Sequence, residues 1–253
     1  MIRDIKAIDI HTHINHGSQY DSVSGSLSYD ATLEYQQKTA KAASIEKMFC
    51  STFASVITVK DVEFENDYMF DLAQKTQNLY QWVVIDPSNE KTINQAEVML
   101  GNEKCVGIKL HPVYHKYKLE DFGDKIFSFA DKYKAIVLIH PQGGSHYILP
   151  FADKYPNVTF IMAHMGSWEN GESDKIAITQ AKYGNVYVDT SGKASLRNKG
   201  LEFLVNAAGS ERILFGTDTY AAGSQRGRIE YALISDFDKE NILRNNAVKL
   251  FKL

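Results

Sequence analysis

The feature that most constrains this chain is a regular alternation of two kinds of segment along its 253 residues. Short apolar runs rich in β-branched residues, which are typical of buried strands, recur along the chain. In order they are IKAIDIH, IEKMFCST, YQWVVID, CVGIKLH, AIVLIH, VTFIMAH, VYVDTS and RILFGTD. Between them lie segments with helical spacing or helix-forming composition, among them YDATLEYQQKTAKAA, NDYMFDLAQKTQ, NEKTINQAEVML, LEDFGDKIFSFADKY and KGLEFLVNAAG.

This alternation predicts a sheet of parallel strands. Strands joined by helical crossovers run parallel, and near-continuous apolar strands are buried on both faces. Eight such units favour a closed (β/α)8 TIM barrel over an open doubly wound sheet, and such a barrel usually has about 250 residues. The last segment, DKENILRNNAVKLF, is predicted to be an amphipathic helix that completes the outer ring.

The composition shows no division of the chain into parts. No Pro-rich, Gly/Ser-rich or charge-block linker interrupts the sequence, so residues 1–253 are predicted to form one domain. Hydrophobic residues make up 44% of the chain, which is enough for a large core. Cys50 and Cys105 lie in predicted strands, where reduced and buried thiols are expected.

Charge and hydropathy argue against two classes of partner. The formal net charge is −3 and no Lys/Arg cluster is present, so nucleic acid is not an expected partner. No apolar stretch approaches the roughly 20 residues that span a bilayer, and the N-terminal segment MIRDIKAIDIHTH lacks the apolar core of a signal peptide. The sequence therefore predicts a cytoplasmic protein that does not bind membranes.

Residues that carry chemistry stand at the ends of the predicted strands. In a barrel of this kind the carboxyl ends of the strands form the catalytic rim. Since residues two apart in a strand point to the same side, His11 and His13 are both expected to face the barrel axis. Counted from the first strand to the eighth, the residues at these ends are His11 and His13, Lys109 and His111, His140, His164, and Asp218.

A divalent metal site is the chemical interpretation of this pattern. Imidazole nitrogen and carboxylate oxygen suit zinc and other borderline metals, so we predict His11, His13, His140 and Asp218 as ligands. Water bound to such a metal has a pKa of about 7 and is a usable nucleophile, whose proton Asp218 can accept. One HxH pair is a weak signal, because histidines that cap a strand look the same; five strand ends together favour the metal site.

The same motifs resemble those of the amidohydrolase superfamily, specifically its amidohydrolase-related branch of hydrolases and nonoxidative decarboxylases. They are IDIHTH at 8–13, GIKLHP at 107–112, VLIHPQ at 137–142, FIMAHMG at 160–166, VYVDTSG at 186–192, RILFGTD at 212–218 and NNAVKLF at 245–251. The resemblance supports the four ligands and implies that His164 contacts the metal-bound water or the substrate as a second catalytic residue beside Asp218. One ion is favoured over two, with Zn²⁺ expected and Mn²⁺ as the alternative.

The resemblance leaves the role of Lys109 open. A strand-4 lysine is carboxylated and bridges two ions in binuclear relatives, whereas a lysine paired with a carboxylate is equally compatible with this sequence. The predicted substrate-binding residues are Lys109, His111, His115, Trp168, Tyr220 and Arg226. Arg226 or Arg228 is a candidate clamp for a substrate carboxylate, the alternative being a solvated charge. Residues 14–28, which are polar and small, are the predicted active-site loop.

Three functions remain after these arguments. The first is a hydrolase that attacks a small ester, lactone or amide with a metal-activated water. The alternative is a nonoxidative decarboxylase of a small aromatic or unsaturated acid, and the third is a metal-binding barrel without activity. The chain has no long insertion, which favours a small-molecule substrate, and a homodimer is compatible because a second subunit can complete the pocket.

Overall fold

The computed structural model describes residues 2–15, 31–167, 171–197, 199–219 and 221–253. In these residues eight parallel strands follow one another around one sheet in sequence order. Their bounds are β1 Ala7–Ile14, β2 Ile45–Thr52, β3 Leu79–Val84, β4 Cys105–Leu110, β5 Ile136–Ile139, β6 Thr159–Met162, β7 Val186–Asp189 and β8 Ile213–Leu214. The Ile10 N–H donates to the Phe215 carbonyl at 3.0 Å, so the segment after β8 returns to β1. The predicted (β/α)8 barrel is confirmed.

Helices connect the strands, and polar side chains cap several of them directly after a strand. Thr52, the last residue of β2, accepts a hydrogen bond from the Ser55 N–H and so begins the next helix. Among the described residues the helices are α1 Leu33–Ala42, α2 Phe53–Ile57, α3 Val62–Lys75, α4 Glu90–Met99, α5 Pro112–His115, α6 Leu119–Lys132, α7 Leu149–Lys154, α8 Glu172–Gln180, α9 Gly200–Ala208, α10 Ala222–Glu230, α11 Asp236–Glu240 and α12 Asn246–Phe251. None of these helices is long and apolar enough to cross a membrane.

The core has an inner and an outer part. The outer part lies between strands and helices, while the inner cluster draws one large apolar residue from each of several strands, as expected for a filled barrel. Within the inner cluster Trp82 is buried, and its indole N–H donates to the Ile10 carbonyl at 2.7 Å. Cys50 and Cys105 are buried free thiols, as predicted.

The C-terminal segment is one continuous helix, as predicted, but it does not complete the outer ring. α11, a π-helical turn at Asn241–Asn245 and α12 follow one another without a break. The Phe251 ring packs against the inner cluster, with its centroid 4.8 Å from that of Phe49 and 5.8 Å from that of Trp82. Since Trp82 and Phe49 lie before the polar ends of their strands, α12 covers the amino-terminal opening of the barrel.

Replacement of Gly107 in β4 tests how tightly the barrel is packed. A Cβ at this position would lie 2.3 Å from the Ile136 carbonyl oxygen and 2.7 Å from the Trp82 ring. Gly107→Ala is therefore expected to lower the free energy of unfolding by about 3 kcal/mol, measured by urea denaturation. The control is Gly227→Ala in α10, where no described atom lies within 4 Å of the added Cβ and helix propensity favours alanine. Equal stabilities of the two variants would contradict the packing argument.

Candidate active site

The polar residues at the strand ends converge on the carboxyl-terminal mouth of the barrel, and Asp218 lies at their centre. Its Oδ1 is 3.2 Å from Nε2 of His13 and 3.7 Å from Nε2 of His11. Its Oδ2 is 3.9 Å from Nδ1 of His164. The structure thus brings together residues that follow or end β1, β6 and β8, although they are separated by up to about two hundred positions in the chain.

The backbone holds Asp218 in this position. Asp218 and Thr219 have φ values of 54° and 64°, in the left-handed region that residues other than glycine rarely adopt. The N–H of Asp218 donates to the His11 carbonyl at 2.7 Å, and the Thr219 hydroxyl accepts the His13 N–H at 2.7 Å. His164 has a φ of 63°. Such strain persists where surrounding bonds impose it, and it clusters at functional sites.

Burial favours the neutral form of four histidines of the site. Burial lowers the pKa of His11 and of His140 to about 3 each, and it also lowers the pKa values of His13 and His111. A neutral imidazole keeps one nitrogen lone pair, which is the group that binds a metal. The burial of these rings therefore favours metal binding over protonation.

The charged groups of the site are two carboxylates and a lysine. Burial opposes the ionisation of Asp218, but the nearby imidazoles of His164, His13 and His11 hold its pKa well below the usual range. Lys109 is 1% exposed, and burial lowers its pKa to about 8. Its ammonium donates to Nε2 of His11 at 2.8 Å. The second carboxylate is Asp189, which is fully buried and whose Oδ2 lies 2.8 Å from Nδ1 of His11.

Asp189 and Ser191 were not singled out from the sequence. Asp189 ends β7, and Ser191 follows two residues later, so both occupy the same register as the predicted ligands on other strands. The Ser191 hydroxyl lies 2.9 Å from Nδ1 of His11 and 2.9 Å from Nδ1 of His164. The run VYVDTS carries the same signal as the other runs, since its aspartate stands at the end of a predicted strand.

Asp9 is another buried carboxylate that the sequence did not reveal. It accepts hydrogen bonds from the Thr217 hydroxyl at 2.6 Å and from the His11 N–H at 3.1 Å. Burial raises its pKa to about 7. Because its partners belong to β1 and to the segment after β8, Asp9 joins the two edges of the barrel beneath the site.

The donor set fits a divalent metal ion. Ligand atoms of His11, His164 and Asp218 all lie within 4.8 Å of one another. The other two predicted ligands adjoin this group, since His13 contacts Asp218 and Nδ1 of His140 lies 3.1 Å from Nε2 of His164. Neutral imidazoles with an ionised carboxylate are typical ligands of Zn²⁺, Mn²⁺ and related ions. All four predicted ligands therefore lie in one cluster together with His164.

The predicted substrate-binding residues divide into several groups. Lys109 lies in the cluster, and His111 adjoins it because its ring stacks on that of His140 with centroids 4.0 Å apart. His115 is buried beside them, and its Nε2 donates to the Ser55 carbonyl at 2.9 Å. Trp168, Tyr220 and residues 16–28 of the predicted loop lie outside the described residues.

Arg226 is the predicted site residue that the structure places elsewhere. Its guanidinium donates to the carbonyls of Ile2 and Ser44, which precede β1 and β2, and its Nε bonds Glu230 at 2.6 Å. These partners lie at the amino-terminal ends of the strands, opposite the site. Arg228 is also engaged, in a bidentate pair with Glu202. The prediction of an Arg226 clamp on substrate is wrong because α10 directs the side chain away from the mouth.

Comparison with known proteins finds similarity over nearly the whole chain. The family profile described as Amidohydrolase matches residues 8–253. A search of curated proteins gives no match. Among solved structures, 2,6-dihydroxybenzoate decarboxylase in complex with 2,6-dihydroxybenzoate is similar with a TM-score of 0.76 and 17% identity, covering 98% of this chain and 99% of that one.

Two further solved structures share the fold. A 5-carboxyvanillate decarboxylase from Sphingomonas paucimobilis has a TM-score of 0.75 and 12% identity, with coverage of 98% of this chain and 99% of that chain. A dihydroxybenzoic acid decarboxylase from Polaromonas, with bound manganese and the inhibitor 2-nitroresorcinol, has a TM-score of 0.73 and 17% identity, with coverage of 97% and 96%. At these identities the similarity establishes a common fold.

The placement of Arg226 gives a prediction about stability. Arg226→Met removes the buried partner of Glu230 and of several backbone carbonyls, so the free energy of unfolding is expected to fall by about 3 kcal/mol in urea denaturation. Binding of Mn²⁺, measured by calorimetry on the same protein, is expected to stay unchanged. A loss of Mn²⁺ affinity without a loss of stability would show that Arg226 acts at the candidate active site.

Proposed function

The chain belongs to the amidohydrolase family, and from this premise we propose that it is a metal-dependent nonoxidative decarboxylase of a small aromatic or unsaturated acid. The observation that carries the proposal is the charge of the site. Burial favours the neutral form of His11, His13 and His140, the carboxylates of Asp189 and Asp218 are ionised, and a buried lysine lies among them. The three similar solved structures described above, which are decarboxylases of aromatic acids, support the same reaction class.

The proposed ligands are His11, His13, His140 and Asp218. The two β1 imidazoles direct Nε2 at the Asp218 carboxylate, which matches the donor types that divalent ions take in catalytic sites. When bound, the ion supplies a Lewis acid that polarises and holds substrate oxygens. Mn²⁺ gains support from the manganese of the Polaromonas structure, with Zn²⁺ as the alternative, and a single ion is proposed.

The charge balance favours an anionic substrate. Asp189 and Asp218 are ionised, and both are engaged by histidines. The cationic groups of the site, which are the buried Lys109 and the divalent ion that the site would hold, both attract a substrate carboxylate.

Solvent exposure distinguishes the proposed roles within the cluster. The side chains of His11 and His13 are 1% and 3% exposed, as suits ligands held by their surroundings, whereas Asp218 is 20% exposed. Decarboxylation breaks the bond from the ring or alkene carbon to the carboxyl carbon, carbon dioxide leaves, and the remaining carbon gains a proton. Asp218, which is open to the mouth, is the proposed proton carrier: it takes a proton from solvent water and passes it to this carbon, and His164 lies beside it.

Metal content is the first test of the proposed centre. The wild-type protein is expected to bind about one Mn²⁺ per chain, measured by elemental analysis and by calorimetry. Asp218→Asn and His11→Ala are each expected to weaken binding by more than the roughly 100-fold that loss of an outer hydrogen-bond partner costs.

A matched control is His146→Ala, since this histidine bonds Ser173 rather than the cluster. Two ions in the wild type, falling to one in Lys109→Ala, would show instead a binuclear centre bridged by the lysine. Full binding by Asp218→Asn would remove Asp218 from the ligand set.

Product analysis tests the reaction. With Mn²⁺ present, hydroxybenzoates and small unsaturated acids are expected to release carbon dioxide, and in D₂O the product carbon should carry one deuterium. Asp218→Asn is expected to lower kcat by about 10²- to 10⁴-fold, the usual contribution of a positioned acid–base group. Incorporation of ¹⁸O from labelled water into the products of an ester, lactone or amide panel, without carbon dioxide release, would establish the hydrolase instead. No turnover on either panel by the metal-loaded protein would favour a binding module.

A further inference from the structure

Asp189 lies at the branch point of a hydrogen-bond network that reaches two of the proposed ligands. Its Oδ1 accepts from the N–H of His164 at 3.1 Å, from the N–H of Ser191 at 2.8 Å and from the Ser191 hydroxyl at 2.5 Å. Its Oδ2 lies 2.8 Å from Nδ1 of His11. An ionised carboxylate can only accept hydrogen bonds, so each neighbour must turn a hydrogen toward it.

The first branch fixes the tautomer of His11. Because Asp189 Oδ2 only accepts, Nδ1 of His11 carries the hydrogen and Nε2 keeps the lone pair. The contact on the other side of the ring gives the same assignment independently. The Lys109 ammonium, which has only hydrogens to offer, lies 2.8 Å from Nε2.

The second branch passes through Ser191 to His164. The single hydroxyl hydrogen of Ser191 is donated to Asp189 Oδ1, so the hydroxyl oxygen accepts from other neighbours. One of these is Nδ1 of His164, at 2.9 Å. Nδ1 of His164 therefore carries the hydrogen in the neutral ring, and its Nε2 keeps the lone pair.

The same branch continues from His164 to His140. The lone pair on Nε2 of His164 lies 3.1 Å from Nδ1 of His140, which must then be the protonated nitrogen of His140. It follows that His140 keeps its lone pair on Nε2. Both ring nitrogens of His164 are occupied by neighbouring side chains, one by Ser191 and the other by His140.

We propose that Asp189 sets the tautomers of the metal site, acting directly on His11 and, through Ser191 and His164, on His140. Both rings then keep their lone pairs on Nε2, and His164 transmits the effect from Ser191 to His140. His13 lies outside this network, since its Nδ1 partner is the Ser51 hydroxyl and its Nε2 faces the Asp218 carboxylate. The inference rests on the proposed metal centre but does not depend on the reaction that the centre performs.

Asp189→Asn is the sharpest test, because the structure dictates how the amide is oriented. Three donors surround Oδ1 and require the amide oxygen there, which puts the NH₂ group at the position of Oδ2, facing Nδ1 of His11. The amide then donates towards Nδ1 of His11 while the Lys109 ammonium still faces Nε2, so no single tautomer satisfies both neighbours and His11 becomes a mixture of tautomers. His164 and His140 keep their tautomers because Ser191 still donates to the oxygen.

The readout is the imidazole ¹⁵N–¹H correlation spectrum of the metal-free protein at pH 8, above the ordinary pKa range of histidine. The wild type is expected to show His11, His140 and His164 as Nδ1–H tautomers. Asp189→Asn should give mixed tautomers for His11 alone. Ser191→Ala should leave His11 unchanged and give mixed tautomers for His164 and His140. The affinity for Mn²⁺, followed by electron paramagnetic resonance of the free ion, should fall about 10- to 100-fold in both variants.

These readouts separate the possible failures. A His11 that stays wholly Nδ1–H in Asp189→Asn would assign its tautomer to Lys109, and an unchanged His164–His140 pattern in Ser191→Ala would remove the Ser191 branch; either result overturns the proposed control by Asp189. If the wild type showed the expected tautomers but bound no Mn²⁺, the proposed metal centre would fail while the assignment stood. Far-ultraviolet circular dichroism and the urea midpoint identify a variant that does not fold. If one variant fails to fold, the other still tests its own part of the network: Asp189→Asn tests the contact with His11, and Ser191→Ala tests the path to His164 and His140.

Discussion

The hydrogen bonds by which the segment after β8 returns to β1 are the interaction on which the site depends. The His11 carbonyl accepts the N–H groups of both Thr217 and Asp218, at 3.0 and 2.7 Å. These bonds close the barrel and, in the same step, bring the Asp218 carboxylate against the two imidazoles of β1. Asp9 reinforces the closure from below by binding Thr217 and the His11 N–H. The same hydrogen bonds therefore stabilise the closed barrel and fix the geometry of the site.

Burial changes the pKa values of the carboxylates in the site, but the net direction of each change depends on the hydrogen-bond partners of the group. Asp9 and Asp189 are both almost completely buried, yet the pKa of Asp9 is raised to about 7 by desolvation while that of Asp189 is held below its usual range. Asp9 is bonded by a hydroxyl and by backbone N–H groups, whereas Asp189 lies against the His11 imidazole. A buried carboxylate stays ionised where a polarisable or cationic partner compensates for lost water. Only such a carboxylate can impose a tautomer on its neighbour.

Much of the fold was predictable because each strand coincides with an apolar run in the sequence. A (β/α)8 barrel places the carboxyl ends of all its strands at one mouth. The same logic located His11, His13, His140 and Asp218, since a residue that ends a strand can occupy only that rim. It failed for Arg226, whose distance after β8 suggested the mouth although α10 carries the side chain back to the carbonyls of Ile2 and Ser44. The place of α12 was missed because a pattern of apolar residues does not say which opening of the barrel a terminal helix covers.

The contact between Lys109 and His11 links the proposed metal site to the proposed substrate class. The lysine ammonium occupies the Nε2 lone pair of His11, which is the lone pair that a metal ion requires. A divalent ion bound at this nitrogen would displace the lysine hydrogen bond. The nearby anions, Asp189 and Asp218, are those that raise the pKa of Lys109, and both are engaged by histidines. A lysine displaced in this way would either lose its proton, since burial already lowers its pKa to about 8, or pair with another anion, and under the proposed function the substrate carboxylate would be that anion. The contact between Lys109 and His11 therefore couples the proposed metal site to the charge of the substrate.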